Sequence, residues 1–419
     1  MKKRTIFKKI WQNIDSKKIL LLNGARQVGK TSLLKMIKNK LIKDKNIKEK
    51  DIFWFDLEKI EDLSLWSKQS FVLNKLPVNK EGKYYIFIDE FQKLRNIGST
   101  LKVLHDHYSN FKIIVTGSAS WYLNIDESMA GRKEVMSIYP LSFKEYLEWQ
   151  EDGKINNHYG LAQKDTKSTP QALLEIINYS LIDFLTYGGY PEVILSKDYN
   201  KKDKILSEII NSYILRDMQL QNYAANSLQI KKILTLLADR VGGILDIASL
   251  SIDSSLGRNL LENRLDLLQE TFVLHLALPY FTNKTKELVK NKKIFLVDSG
   301  LRANLMKDYK LIPKTVEFGQ ITENFVVTEL LKRGHLLDQY YYWRTKTKQE
   351  VDIVIKREKE LIPIEVKGGN IKKTPYSLKA FIKEYKPKQA YILNWSTIYE
   401  EEFEGCRIYF RPLWWAENI

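Results

Sequence analysis

The chain has 419 residues, enough for about two to four domains, and its 44% hydrophobic and 28% charged residues are typical of globular proteins. A lone cysteine, Cys406, excludes an intramolecular disulfide and a Cys-rich zinc site, which favours a reducing compartment, and we expect the cytoplasm. No apolar run approaches the roughly 18 residues of a membrane span, and we expect neither a signal peptide nor membrane contact.

The net charge of +16 is concentrated at the start of the chain. Residues 1–50 contain 16 Lys and Arg against 3 Asp and Glu, which is most of the surplus. A stretch this basic can contact nucleic acid. A lysine-rich solvated face explains the same composition, and the sequence leaves both interpretations open.

Strands and helices alternate over the first 140 residues. The runs are rich in β-branched and aromatic residues, which indicates a parallel sheet buried on both faces and an α/β fold. The predicted strands are Ile19–Leu22, Asp51–Leu57, Lys83–Asp89, Phe111–Gly117 and Glu134–Tyr139.

The remaining chain divides into three further segments. Glu151–Pro170 is polar and contains two glycines, and we interpret it as a loop or linker; helices follow to about Asn222. Three short helices and a β-ribbon are predicted between Leu228 and Asp298. From about Lys307 we expect one helix, three strands, a helix and a strand.

A glycine-rich loop follows the first predicted strand. Gly24-Ala25-Arg26-Gln27-Val28-Gly29-Lys30-Thr31 has the spacing G-x-x-x-x-G-K-T and precedes an apolar helical pattern. This is the phosphate-binding loop of a nucleoside triphosphatase, in which backbone N–H groups and the helix N-terminus face the phosphates. Lys30 is expected to reach the β- and γ-phosphates, and Thr31 to hold Mg²⁺.

Two acids end the third strand, and hydroxyls end the fourth. We assign Asp89 to Mg²⁺ and Glu90 to the general base that activates water. In Val115-Thr116-Gly117-Ser118, Ser118 is the preferred γ-phosphate sensor and Thr116 the reserve, although a capping turn is the alternative. Arg132 can act as an arginine finger from a neighbouring subunit or be an ordinary surface residue.

These motifs resemble those of the AAA+ ATPases, and more specifically of a prokaryotic family that joins such an ATPase to a C-terminal domain. Further matches are Pro140-Leu141-Ser142-Phe143, Gly188-Gly189-Tyr190-Pro191 and Arg216-Asp217. The resemblance implies ATP as the ligand, adenine packing near Gly189 and Pro191, and assembly into a homo-oligomer.

The segment from Leu228 to Asp298 has the helix count and trailing ribbon of a winged helix-turn-helix. Residues 254–259 would open its third helix, where side chains can reach the major groove of DNA. Because the charge of this segment is modest, a lid or a protein contact remains the alternative.

Three charged residues lie on two consecutive predicted strands near the end of the chain. Glu365 and Lys367 are two apart and project together, and a short hairpin would bring Asp352 beside them. The two carboxylates can bind Mg²⁺ and the lysine can activate water or stabilise a phosphorane. Glu323, on the preceding helix, could complete this site.

That arrangement resembles the PD-(D/E)XK nucleases, whose fold is restriction-endonuclease-like. The resemblance covers roughly residues 307–419 and implies a metal-dependent deoxyribonuclease with Asp352, Glu365 and Lys367 in the core motif and Glu323 as the helical acid. A domain that contacts DNA or protein without cutting is the alternative.

The sequence thus predicts four domains. They are an ATPase core at 1–140, a helical lid at 141–225, a winged helix at 226–306 and a nuclease-like domain at 307–419. We expect ATP and Mg²⁺ as cofactors and DNA as a partner.

Overall fold

The computed structural model describes residues 2–78, 81–94, 97–117, 129–150, 154–164, 166–214, 227–281, 291–313, 315–335 and 337–419. The chain forms two compact units, Met1–Tyr139 with Glu270–Phe272 and Pro140–Gln269 with Val273–Ile419. Two predicted features, Ser118 and Arg216-Asp217, lie outside the described residues.

The first unit contains a parallel sheet, and the chain has the predicted α/β fold. Among its described residues, the strands pair in the order β2-β3-β4-β1-β5. The strands are β1 (Ile19–Gly24), β2 (Ile52–Asp56), β3 (Tyr84–Asp89), β4 (Phe111–Gly117) and β5 (Lys133–Ile138). The helices are α1 (Ile6–Gln12), α2 (Lys30–Lys45), α3 (Ile60–Trp66), α4 (Gln69–Lys75) and α5 (Ile97–His107), with 3₁₀ turns at Glu49–Asp51 and Phe91–Lys93.

The three central strands of this sheet carry the apolar runs seen in the sequence. Every residue of β1, β3 and β4 is buried, which requires cover on both faces. Because all five strands are parallel, their carboxyl ends meet at one edge. The phosphate-binding loop after β1 and the acids at the end of β3 therefore belong to the same edge of the sheet.

The second unit contains helices and a mixed sheet. Its helices are α6 (Phe143–Trp149), α7 (Lys154–Lys164), α8 (Gln171–Tyr187), α9 (Pro191–Leu195), α10 (Tyr199–Glu208), α11 (Ser227–Asp239), α12 (Ile247–Ser254), α13 (Arg258–Glu270), α14 (Ser299–Met306), α15 (Val316–Arg333) and α16 (Tyr376–Tyr385), with a π-helical turn at Ile209–Ile214 and a 3₁₀ turn at Leu413–Asn418. In the described part of the chain, no helix is both long and apolar enough to cross a membrane.

The described strands of the second unit form one sheet in the order β12-β13-β11-β10-β9-β8-β6-β7. They are β6 (Leu274–Pro279), β7 (Lys293–Leu296), β8 (Asp338–Arg344), β9 (Glu350–Arg357), β10 (Glu360–Val366), β11 (Gln389–Asn394), β12 (Tyr399–Phe403) and β13 (Cys406–Pro412). The ribbon β6–β7 extends this sheet because β6 pairs with β8. The predicted boundaries after residues 225 and 306 thus fall inside one compact unit, and the four-domain division stays a prediction.

Two helices cover opposite faces of this sheet. Phe325 of α15 lies in one apolar cluster with Ile353 and Ile355 of β9. Phe381 of α16 lies in another cluster with Val354. Successive residues of a strand face opposite sides, so the two clusters lie on opposite faces.

The prediction of a loop or linker at Glu151–Pro170 was wrong for its central part. Helix α7 lies there because two of its residues pack into the core despite the polar composition. Tyr159 and Ala162 are buried, and the Tyr159 hydroxyl donates to Glu417 Oε1 at 3.0 Å. Tertiary burial thus outweighed local composition.

The C-terminal prediction missed strands. After α16 we expected one strand, whereas the described structure has β11, β12 and β13. The strand β12 contains three consecutive glutamates and lies at the sheet edge, where charge is tolerated and protects against aggregation. Its hairpin turn uses Glu404 and Gly405, both with positive φ, as a tight two-residue turn requires.

Candidate nucleotide site and a buried acidic cluster

The phosphate-binding loop has the backbone that its glycines allow. Gly29 has φ of 93°, a conformation that side chains disfavour, and helix α2 begins at the next residue. At Gly24, a Cβ atom would lie 2.1 Å from the carbonyl oxygen of Ile138 on β5. The loop therefore needs glycine at one end for close strand approach and at the other for the turn into the helix.

Lys30 lies folded over this loop. Its side chain is buried, and Nζ donates to the carbonyl oxygens of Gly24 at 3.0 Å and Ala25 at 2.8 Å. The positive charge is therefore held against the backbone at the start of the phosphate-binding loop. Thr31 follows in the first turn of the same helix. The remaining predicted loop residues, Arg26, Gln27 and Val28, connect the two glycines.

Arg4 braces the loop from the N-terminal segment, a contact the sequence did not reveal. Its guanidinium donates from Nη1 to the carbonyl oxygen of Val28 and from Nη2 to that of Tyr139, both at 2.8 Å. The side chain is only 8% exposed. The planar fork of arginine fits two separated acceptors, which the single ammonium of a lysine cannot reproduce. In the sequence, Arg4 is one of several basic residues in a row, so no local pattern distinguishes it.

The two acids at the end of β3 are tied to Thr116 on the neighbouring strand. The Thr116 hydroxyl donates to Asp89 Oδ1, and the Glu90 N–H donates to Thr116 Oγ1 at 3.3 Å. Gln92 Nε2 donates to Glu90 Oε2, and Glu90 has φ of 55°. The structure thus brings Asp89, Glu90 and the reserve sensor Thr116 together.

Arg132 is engaged within its own chain. Its Nε donates to Asp106 Oδ1 at 2.8 Å, and Nη1 donates to the carbonyl oxygen of Ala130 at 3.2 Å. Its side chain remains 30% exposed. An arginine finger would have to exchange Asp106 for a nucleotide of a neighbouring subunit, so this role stays a prediction.

Packing explains the glycine pair before Pro191. The Gly189 N–H donates to Asp298 Oδ2 at 2.7 Å, and its carbonyl oxygen accepts from the Leu141 N–H at 2.7 Å. At Gly188, with φ of 75°, a Cβ atom would lie 2.0 Å from Asp298. These residues belong to the second unit. The adenine contact inferred for Gly189 and Pro191 stays a prediction.

The charged residues predicted near the C-terminus converge in the second unit. Strands β9 and β10 pair in antiparallel register through Ile353 and Ile364. Asp352 Oδ2 accepts from the Val366 N–H at 2.7 Å, and Lys367 Nζ donates to Glu365 Oε1 at 2.7 Å. Asp352, Glu365 and Lys367 therefore lie side by side, as we expected from a short hairpin between the two strands.

Four carboxylates form an acidic cluster here, those of Glu323, Glu350, Asp352 and Glu365. A second lysine, which the sequence did not reveal, lies among them. Lys293 of β7 is 2% exposed, and its Nζ lies 2.7 Å from Glu323 Oε1 and 2.6 Å from Glu350 Oε1. The distance to Asp352 Oδ1 is 4.0 Å. Burial opposes the charged ammonium, but these three carboxylates outweigh it and raise the pKa of Lys293.

One carboxylate oxygen of Glu365 is left unsatisfied by the described residues. Its Oε2 atom is buried and has no hydrogen-bond partner among the described residues. Burial, and then repulsion from Asp352, raise the pKa of Glu365, whereas Lys367 lowers it. A proton or a cation at Oε2 would relieve the cost of this buried carboxylate.

The carboxylate oxygens of this cluster are chemically suited to bind a divalent cation. Carboxylate oxygens are the ligands that Mg²⁺ and Mn²⁺ prefer, and the orphaned oxygen of Glu365 beside Asp352 would hold such an ion. Glu323 and Glu350, however, are turned to Lys293. Across the described residues, no three or more His, Cys, Asp or Glu side chains are arranged to hold a metal ion.

Three family models match successive parts of the chain. Residues 16–147 match an AAA domain. Residues 178–310 match a domain of unknown function, DUF8612, and residues 318–408 match another, DUF4143. The acids and lysine of the C-terminal hairpin fall in the third match, whereas Lys293 falls in the second.

Similar proteins cover most of the chain. An uncharacterised protein of Methanocaldococcus jannaschii is 27% identical over 83% of this chain and 74% of its own length. One of Haemophilus influenzae is 26% identical over 84% and 83%. A Walker-type ATPase of Pyrococcus abyssi of known structure has a TM-score of 0.46 at 16% identity, over 73% of this chain and 97% of that one. The match at residues 16–147, together with the loop and acids of the parallel sheet, shows that the chain carries an AAA-type domain, the class of domain that binds and hydrolyses ATP.

Proposed function

We propose that the protein hydrolyses ATP in its first unit and uses this cycle to control the action of its second unit on DNA. The observation that carries the proposal is the contact of Thr116 with both Asp89 and Glu90 at the sheet edge that also bears the phosphate-binding loop. This arrangement supports the assignment of a metal-binding acid, a base and a hydroxyl to the neighbourhood of a γ-phosphate.

Each residue then has a defined role. Lys30 exchanges its two loop carbonyls for the β- and γ-phosphates. Thr31 and Asp89 are the residues that would hold Mg²⁺, which neutralises phosphate charge when bound. Glu90 accepts the proton of the attacking water. Until then, Gln92 holds the carboxylate of Glu90, and Thr116 holds its backbone N–H.

Two substitutions test the ATPase assignment. Lys30→Ala should abolish ATP binding because Lys30 is the side chain assigned to the β- and γ-phosphates, and alanine leaves their charge without this partner. Glu90→Gln should retain ATP binding and lose at least about 100-fold in turnover, since an amide cannot accept the proton. Glu61→Gln, an exposed acid of the same unit, is the control. Unchanged turnover in Glu90→Gln would reject Glu90 as the base.

For the second unit, the acidic cluster supports metal-dependent cleavage of DNA. Asp352, Glu365 and Lys367 lie together on a hairpin that follows helix α15, which carries Glu323. The order of one helix, three antiparallel strands, a helix and a parallel strand resembles the restriction-endonuclease-like fold. The three helices and ribbon that precede it support DNA contact by a winged helix.

The rival proposal is a switch that contacts DNA or protein without cutting. One observation favours it: Lys293 already supplies a cation to Glu323, Glu350 and Asp352. A cluster neutralised from within needs no metal to be stable.

Cleavage of single-stranded, duplex and branched DNA with Mg²⁺ or Mn²⁺, with and without ATP, separates the two proposals. Asp352→Ala and Lys367→Ala should each reduce cleavage at least about 100-fold. Lys359→Ala, in the exposed turn between β9 and β10, should not. DNA binding should persist because it depends on many phosphate contacts. A protein that hydrolyses ATP and binds DNA but leaves every substrate intact would establish the switch.

A further inference from the structure

Lys293 enters the acidic cluster from outside the segment that carries the predicted nuclease residues. It opens strand β7, which pairs with β6 through Ala277 opposite Lys293. The preceding residue accepts the Leu245 N–H at its carbonyl oxygen at 2.7 Å, which fixes the strand on its other side. The ammonium is therefore placed by backbone pairing on both sides and does not reach the cluster from a free loop.

The surroundings of Lys293 hold its side chain in one position. Its stem is buried, and Nζ lies 6.0 Å from the centre of the Tyr342 ring. The three acids around it come from two elements, Glu323 from α15 and the other two from β9. A cation in this position links the helix to the sheet and neutralises acids that would otherwise repel each other.

The cluster is close to neutral without a metal. Four carboxylates, those of Glu323, Glu350, Asp352 and Glu365, face Lys293 and Lys367, and Glu350 also contacts Arg344 at 3.2 Å. A divalent ion entering here would meet a site whose charge is mostly compensated. It would also have to lose part of its hydration shell, whereas Lys293 is already tethered beside the acids.

We propose that Lys293 is a resident cation that competes with a divalent metal for the acidic cluster and thereby sets its metal affinity. The proposal rests on the assignment of this cluster as a metal-dependent site, and it identifies how that site is regulated. Metal binding requires the ammonium to give up Glu323 and Asp352. Any movement of β7 relative to β9 would change the metal affinity.

Mn²⁺ binding to the full-length protein, measured by electron paramagnetic resonance of the free ion, tests the proposal without DNA or ATP. Lys293→Met keeps the apolar stem and removes the charge, and it should bind Mn²⁺ at least about 10-fold more tightly than the wild type. Adding Asp352→Asn should abolish the gain. Lys292→Met, at the neighbouring and less buried position, is the matched control and should bind like the wild type.

Thermal unfolding gives a second measurement. Lys293→Met removes the cation that three acids share, so its Tm should fall and then recover when Mn²⁺ is added, whereas the Tm of the wild type should hardly respond. If Lys293→Met does not fold even with Mn²⁺, Lys293→Gln provides the test. It removes the charge, keeps an N–H donor for the acids and should also strengthen Mn²⁺ binding.

Equal Mn²⁺ affinity in the wild type and in the folded variants would overturn the proposal, as would weaker binding in Lys293→Met. The outcome is separate from that of the nuclease assignment. Tighter Mn²⁺ binding by Lys293→Met in a protein that never cleaves DNA would reject the nuclease and keep the competition. Cleavage of DNA by a wild type whose Mn²⁺ affinity does not depend on Lys293 would keep the nuclease assignment and reject the competition.

Discussion

Lys30 and Lys293 are both buried lysines, and their partners give them different roles. The ammonium of Lys30 rests on two neutral carbonyl oxygens of the loop, which phosphate oxygens can replace at a gain in charge interaction. The ammonium of Lys293 rests on carboxylates, which hold it far more strongly in a buried site. The first lysine is therefore placed to receive an anion, and we propose that the second competes with a cation.

At the same scale, we predict that Arg4 positions the phosphate-binding loop. Arg4→Ala should raise the KM for ATP about 10-fold, because the Val28 and Tyr139 carbonyls lose the fork that holds the loop against β5. Arg4→Lys should recover only part of the effect. Steady-state ATPase kinetics provide the measurement, and Lys8→Ala, at an exposed position of α1, is the control. A KM equal to that of the wild type in Arg4→Ala would show that the brace serves stability alone.

At the scale of elements, one lysine fixes the turn between α1 and β1. Lys112 of β4 donates to the carbonyl oxygens of Asn13 at 3.0 Å, Ser16 at 2.8 Å and Lys18 at 2.7 Å, and to Ser16 Oγ at 3.0 Å. Helix α1 is thus tied to the sheet at one end by this turn, and the chain just before it is tied at Arg4. The N-terminal segment is an integral part of the first unit.

Lys112→Met should therefore destabilise the first unit by about 2–4 kcal/mol, since four oxygens lose a charged donor inside the protein. Chemical denaturation followed by circular dichroism measures the loss. Lys102→Met, on the exposed side of α5, should change stability by less than about 0.5 kcal/mol. A loss in Lys112→Met no larger than in this control would mean that water satisfies the turn equally well.

At the scale of the whole molecule, Arg132 provides a test of whether ATP hydrolysis requires a second copy of the chain. Arg132 is held by Asp106 of its own chain, so a role in another subunit requires that this ion pair open. If it does, specific ATPase activity should rise with protein concentration. Mixing Arg132→Ala with Lys30→Ala subunits should restore turnover that neither has alone. Activity independent of concentration in a monomeric protein would reject this role.

The sequence by itself determined the parts of the fold and site that depend on short stretches of chain. The loop from Gly24 to Thr31 lies between the strand and the helix that create its geometry, and Asp89 and Glu90 end a strand whose apolar run is unmistakable. The hairpin of Asp352 and Glu365 follows from the same alternation of side chains.

Only the tertiary structure decided which distant residues complete these sites. Arg4 reaches the carbonyl of a residue 135 positions away, and Lys293 reaches an acid 57 positions away. No local pattern marks either residue, since one lies in a basic run and the other begins an apolar strand. The physical reason is that sheet pairing and burial, which act across the whole chain, bring these cations to their oxygen partners and fix them there.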